Sequence, residues 1–328
     1  MQDESAGPDL DRLHWGTLRD WAQLVRLPNT FTLFSDCLAA AILAGSYWQP
    51  LTVLLPMIAA SLCAYWAGMI LNDVVDVEED RESRPNRPLA AGRISPVIAG
   101  HVATGMLMIG PIIVLGTTTL HQTHPLWMGA AFASAVLLSL AVRSYNSPLK
   151  HSPLGPLLMG GCRLLNIWMI GSAFYATQGV ETVPWTVIYF GLAIGLYIVG
   201  VTVYARREET HSSAAGLVVG LLLEAGGLGI LAYLPRWERA DFAFNTLAVD
   251  QGYPLLIGLI AATVIHRGWR GVMHPVPRKV QLAVKHALLT LILLDASVVL
   301  MWGGAWYGLA VVLLLLPALM SALRFRST

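Results

Sequence analysis

"MILNDVVDVEEDRESRPNRPLAAGRIS", residues 69–95, closes an apolar run and then places Asp73, Asp76 and Asp80 within eight residues, with Arg81, Arg84, Arg87 and Arg93 behind them. Charge this dense is out of keeping with the rest of the chain. Of 328 residues, 55 % are hydrophobic and only 12 % charged, and the mean hydropathy is +0.60. Soluble domains carry about 25 % charged residues, so the composition points to a polytopic membrane protein. The net charge of +1 argues against a nucleic-acid partner, which would require a clear basic excess on an exposed face.

Outward from that stretch, apolar runs fall at about 30–46, 51–71, 97–118, 125–142, 154–176, 184–204, 214–234, 252–266, 280–301 and 305–323. Crossing about 30 Å of hydrocarbon takes roughly 20 residues of helix. Backbone groups in lipid must be paired within their own segment, so these runs are read as helices. The expected fold is all-α, a membrane bundle of nine to ten spans around a lipid-accessible cavity. The eighth run is short, and it decides between nine and ten. Ahead of the bundle, Leu10, Leu13, Leu18, Trp21 and Val25 recur at helical spacing, the pattern of an amphipathic helix lying along the membrane surface. The start of the chain is acidic and lacks a short apolar core with a cleavage site, so no signal peptide is expected. The expected organisation is a cytoplasmic segment over 1–28 and a transmembrane domain over 29–328.

Lys and Arg set orientation. Loops after even-numbered runs carry Arg81, Arg84, Arg87 and Arg93; Arg143 and Lys150; Arg206 and Arg207; Arg267, Arg270, Arg278 and Lys279; and Arg324 and Arg326. Loops after odd-numbered runs carry none, apart from Arg236 and Arg239. The even side, with the N-terminus and the acidic stretch, is expected to face the cytoplasm, in a bacterial inner membrane. Cys37, Cys63 and Cys162 sit alone in apolar runs, and the nine histidines show no HExxH-type spacing. Disulfide, zinc and haem readings therefore have little support.

If the second helix runs on past Asn72, Asp73, Asp76 and Asp80 fall within an arc of about 60°. Three carboxylates on one small volume repel one another unless a cation joins them. Hard carboxylate and amide oxygens suit Mg²⁺, which completes its shell with water and substrate phosphates. Arg84, Arg87, Arg93 and Lys150 can neutralise the part of a diphosphate that the metal leaves uncovered. Arginines alone would be explained by topology. In-phase aspartates are not, because acidic residues contribute little to orientation.

"NDVVDVEED", read as N-D-x-x-D-x-x-x-D, with "RPNRPLAAGRIS" directly after it, resembles the first signature of the UbiA superfamily of intramembrane prenyltransferases. "RLPNTFT" resembles that family's R-x-x-N/P element at the first span, and "SYNSPLKHSPLG" its Y-x(n)-L-K element after the fourth. The resemblance implies that Asp73, Asp76 and Asp80 hold Mg²⁺ on the diphosphate of a prenyl donor, with Asn72 orienting or ligating. It implies that Lys150 and Arg87 contact the diphosphate, assisted by Asn29. Where better-known members carry a D-x-x-x-D pair after the sixth span, this chain reads "VTVYARREETHSSAAG", with no aspartate. Glu208 or Glu209 would have to ligate a second metal there, or Arg206 or Arg207 replace it on phosphate. That variant, with "GGCRLLN" and "LLLDA", looks most like the divergent EboC-type branch, which is linked with small lipid-like products.

Ionisable groups inside spans usually face a cavity or a partner. Arg163 and Asn166 share a face of the fifth span and are expected to line the pocket; Asp36 and Asp295 are as well suited to a structural ion pair as to catalysis. The resemblance implies ionisation of a polyprenyl diphosphate to an allylic cation, captured by a small polar or aromatic acceptor, with Tyr145 or Tyr204 placed to shield the cation. A transporter or lipid carrier is disfavoured, because transporter sites lie near the midplane. A CDP-alcohol phosphotransferase lacks its motif here, and an inactive UbiA-like scaffold is kept in play by the missing second signature.

Overall fold

The computed structural model describes residues 14–45, 50–121, 124–178, 183, 185–206, 213–237 and 250–324. Its helices are α1 (Leu18–Leu24), α2 (Leu27–Leu43), α3 (Leu51–Val75), α4 (Val77–Ser83), α5 (Pro96–Leu120), α6 (Pro125–Tyr145), α7 (Gly155–Gln178), α8 (Trp185–Ala205), α9 (Ala214–Trp237), α10 (Gly252–Met273), α11 (Pro277–Gly303), α12 (Ala305–Val312) and α13 (Leu315–Arg324), with a 3₁₀ turn at Pro148–His151. The fold is all-helical, as the apolar runs require.

Eight helices, α3 and α5 to α11, are long and apolar enough to cross a membrane. Two shorter apolar stretches, Leu27–Leu43 and Ala305–Ser321, bring the candidates to ten among the described residues. The run expected at 252–266 continues to Met273. Its extra turns carry Arg267 and Arg270 on exposed positions, and those charges end the apolar run before the helix ends. The final run differs in the other direction, since Leu313 and Leu314 break it into α12 and α13.

In lipid the hydrophobic effect does not drive helix against helix, so close backbone approach must do the work. A methyl group on Gly227 of α9 would stand 2.6 Å from the Ala193 carbonyl oxygen of α8, and one on Gly160 of α7 would stand 2.4 Å from that of Gly195. Neither glycine can be enlarged without separating the helices. Met108, Ile109 and Ile112 of α5 point outward, as lipid-facing side chains do. At the centre α2 packs against α3, α7, α8, α11 and α13.

The described part of the N-terminal segment is tied to the bundle. Trp15 pairs with Ile94, and the Ser95 amide donates to the His14 carbonyl at 2.9 Å. Gly16 turns the chain at φ +63°, into α1. Thr17 caps α1 by accepting from the Asp20 amide, and Asp20 accepts from the Thr17 amide and hydroxyl and from Arg93 Nε at 2.6 Å. Burial alone would raise the Asp20 carboxyl, but the Thr17 and Arg93 bonds outweigh it and hold it below its ordinary value. A depressed folded value adds stability above the unfolded pKa, lost as pH falls through the folded one. Amide exchange at Ser95 should therefore stay slow from neutral pH down to about pH 5 and lose protection only below about pH 4, as followed by pH-corrected hydrogen exchange.

Candidate active site

The end of α3 sets out the first side chains. Asp76 closes α3 and opens α4, yet its amide still donates to Asn72 at 3.0 Å, and the Asp80 amide donates to Asp76 at 2.8 Å. Four-residue bonding thus crosses the joint and keeps the helical phase. Asp73 and Asp80 turn inward, at 5 % and 3 % exposure, while Glu78 and Glu79 face out.

Cations meet each of the three aspartates. Arg87 donates to Asp80 Oδ2 at 2.6 Å and to Asp73 Oδ1 at 3.3 Å, and Arg84 stands 3.7 Å from Asp80. Arg26 donates to the same Asp73 oxygen at 3.3 Å. Lys150, delivered by the 3₁₀ turn, donates to Asp76 Oδ2, which also accepts from Asn72 at 3.1 Å. The residues expected from the acidic stretch and from the fourth loop therefore meet at one end of the bundle. Tyr145, at the end of α6, lies near Arg26 and Asp76.

Hard oxygen donors on successive turns of one face fit Mg²⁺ in kind. With their carboxylates turned to Arg and Lys, no three His, Cys, Asp or Glu side chains converge on one point among the described residues. Binding a metal there requires cations to leave carboxylate oxygens, and a diphosphate offers them new partners.

A second polar layer lies beneath. Arg163 of α7 donates to Asp36 of α2 and, through Nη2, to Thr32 Oγ1 at 2.8 Å. Ser35 donates to Asp295 of α11 at 2.5 Å. Asp36 and Asp295 are fully buried, and their Oδ1 atoms, like that of Asn166, have no partner among the described residues. Asn166 Nδ2 points at Cys37 Sγ, 4.0 Å away. The Tyr65 side chain lies among Asn29, Arg26 and Arg163, and so joins this layer to the one above. Arg163 and Asn166 thus share a face, as expected, but Asp36 already matches the charge of Arg163.

Two expected residues lie apart from the cluster, and three lie outside the described residues. Tyr204 donates its hydroxyl to the Gly268 carbonyl of α10 at 2.8 Å, which makes it a tie between α8 and α10. Arg206 follows α8 on the exposed side. Arg207, Glu208 and Glu209 belong to the undescribed residues. Three residues escaped the sequence reading. Arg26 opens the quoted "RLPNTFT" but was assigned no role of its own. Asp20 pairs with Arg93 across 73 positions and leaves no local signal. Glu224, 3 % exposed in α9, was legible as a lone acid in an apolar run.

The UbiA prenyltransferase family model matches residues 33–272. The chain belongs to the UbiA prenyltransferase family. It is an integral membrane enzyme, a prenyltransferase. Among curated relatives, digeranylgeranylglyceryl phosphate synthase of Methanopyrus kandleri is 29 % identical over 280 residues, covering 74 % of this chain and 98 % of that one. The Ignicoccus hospitalis protein of the same name is 28 % identical over 262 residues, covering 77 % and 76 %. A UbiA homolog from Archaeoglobus fulgidus, solved with GPP and Mg²⁺, shares the fold at a TM-score of 0.59 and 14 % identity, over 89 % of this chain and 99 % of that one. A solved structure described by its work on digeranylgeranylglyceryl phosphate synthase in membranes has the same TM-score at 17 % identity, over 87 % and 98 %. UbiA homologs therefore share both the helical order and the bundle.

Proposed function

We propose that this enzyme transfers a long prenyl group from its diphosphate to a hydroxyl of a glyceryl phosphate lipid precursor, forming an ether. The observation that carries the donor half is the rim cluster, in which Asp73, Asp76 and Asp80 interleave with Arg26, Arg87 and Lys150. Its charges suit a metal-bound diphosphate better than either ion alone. The Archaeoglobus fulgidus homologs bound to GPP or DMAPP with Mg²⁺ support that reading. The acceptor rests on the relatives, named for a glyceryl phosphate bearing two geranylgeranyl chains; it takes the place of the aromatic acceptor.

Asn72, Asp73, Asp76 and Asp80 would hold Mg²⁺, with Glu208 as the carboxylate for a second ion. When bound, the metal supplies positive charge to the departing diphosphate. Arg26, Arg87 and Lys150 bind phosphate oxygens and keep that charge matched as the carbon–oxygen bond breaks. The bonding electrons leave with the diphosphate, and an allylic cation remains. A hydroxyl oxygen of the acceptor attacks it and gives up its proton to the departed diphosphate, which closes the ether. Tyr145 presents a ring where the cation forms, and the apolar helices exclude the water that would quench it. Each buried methylene of the tail adds about 0.8 kcal/mol of binding. The excess of Lys and Arg in the loops at this end of the bundle supports a cytoplasmic active site. The archaeal relatives support a cell membrane without assigning it to a bacterium.

Purified enzyme given Mg²⁺, geranylgeranyl diphosphate and geranylgeranylglyceryl phosphate should release diphosphate and yield a lipid with the mass of both substrates less diphosphoric acid. Release with aromatic acceptors instead would overturn the acceptor. No release with prenyl diphosphates of any length would overturn the enzyme reading.

A further inference from the structure

The two arginines that meet on Asp73 come from opposite sides of one small device. Arg26 sits between α1 and α2 at φ 51° and ψ 57°, the left-handed region. A non-glycine side chain is strained there and persists only where its surroundings over-determine it. Arg87 lies in the turn between α4 and α5, where its carbonyl accepts from the Ala91 amide at 2.8 Å and the Pro88 carbonyl accepts from the Arg93 amide at 3.0 Å.

Residues 14–25 bridge the two. Trp15 lies against Ile94, and Arg93 reaches from the Arg87 turn to Asp20 while its Nη2 holds the carbonyl of Asn86, the residue before Arg87, at 2.9 Å. Leu24 and Val25 pack with Leu89, Ile94, Ile70 and Leu71. Trp21 fixes the approach by donating to the Trp15 carbonyl at 2.8 Å. Arg26 directly follows. A shift of this strap therefore moves both arginines relative to α3.

We propose that residues 14–25 are a strap that positions Arg26 and Arg87 for the donor diphosphate, with Asp20 and Arg93 as positioning residues. The inference rests on the donor site described above. Neither Asp20 nor Arg93 needs to touch substrate, since each acts by fixing the backbone that presents a diphosphate-binding cation.

Two variants leave the donor site's own side chains unchanged. Asp20→Asn weakens the pin. Gly16→Ala places a methyl group 2.5 Å from Ile94 Cγ1 at a backbone angle suited to glycine, and so lifts the strap. Both should raise the KM for geranylgeranyl diphosphate about 10-fold, the usual scale for residues that orient direct ligands, while the KM for the acceptor stays put. Asp20→Glu should recover much of the loss. Unchanged donor KM in both variants, or equal rises in donor and acceptor KM, would overturn the proposal and leave a structural strap only. Should the variants fail to fold, the wild-type enzyme decides it: geranylgeranyl thiodiphosphate with Mg²⁺ should slow amide exchange at Ser95, and no change there counts against coupling. Diphosphate release by the unaltered enzyme reports separately on the donor site, so the two readings fail independently.

Discussion

Replacing Asp76 with Asn should lower diphosphate release and ether formation by about 10²–10³-fold, the scale at which one electrostatic contact to a developing charge is removed. The substitution keeps shape and removes charge. Lys150 and Asn72 keep at most a neutral amide oxygen where they shared a carboxylate, and Lys150 is 19 % exposed, so water can take up part of its charge. Thermal unfolding in detergent should move little for that reason. The measurement is turnover of geranylgeranyl diphosphate at saturating Mg²⁺, per folded molecule. Wild-type turnover in this variant would remove Asp76 from the chemistry.

The second large effect concerns stability. Asp36→Leu strips Arg163 of its carboxylate deep in the bundle, where Asp36 is fully buried and the Arg163 side chain 13 % exposed. Removing one partner of a buried pair costs about 3–5 kcal/mol, because the other charge is left without compensation. The double variant Asp36→Leu, Arg163→Met should regain most of that loss, since two apolar groups of similar volume leave nothing to compensate. Unfolding of single and double variants in the same detergent reads the coupling directly. Equal stability of single variant and wild type would show that Thr32 alone satisfies the guanidinium.

Much of the molecule was legible because hydropathy and helical phase are local. Ten apolar runs gave ten helical stretches, and three aspartates at helical spacing gave three carboxylates on one side of the α3–α4 joint. Where reading failed, the cause was distance along the chain or a charge that masked a helix. Arg267 and Arg270 hid the last turns of α10, although an exposed arginine at a helix end costs that helix little. Arg26 meets Asp73 across 47 positions and Arg163 meets Asp36 across 127, and such pairs exist only once the bundle closes. Tyr204 illustrates the reverse. Its motif suggested chemistry, while its hydroxyl closes a helix contact with the Gly268 carbonyl.

The pairing of Asp36 with Arg163 also bears on how the chain enters the bilayer during synthesis. An aspartate near the middle of a span costs about 2.5–3.5 kcal/mol on insertion, and α2 has only 17 residues to offset it. Alone, the leading segment is a poor candidate for release into lipid. Its counter-charge does not exist until the ribosome has made α7, and the Ser35 partner Asp295 comes later still. On that account α2 waits beside the translocation machinery, or slips back to the surface, until much of the remaining chain has been threaded.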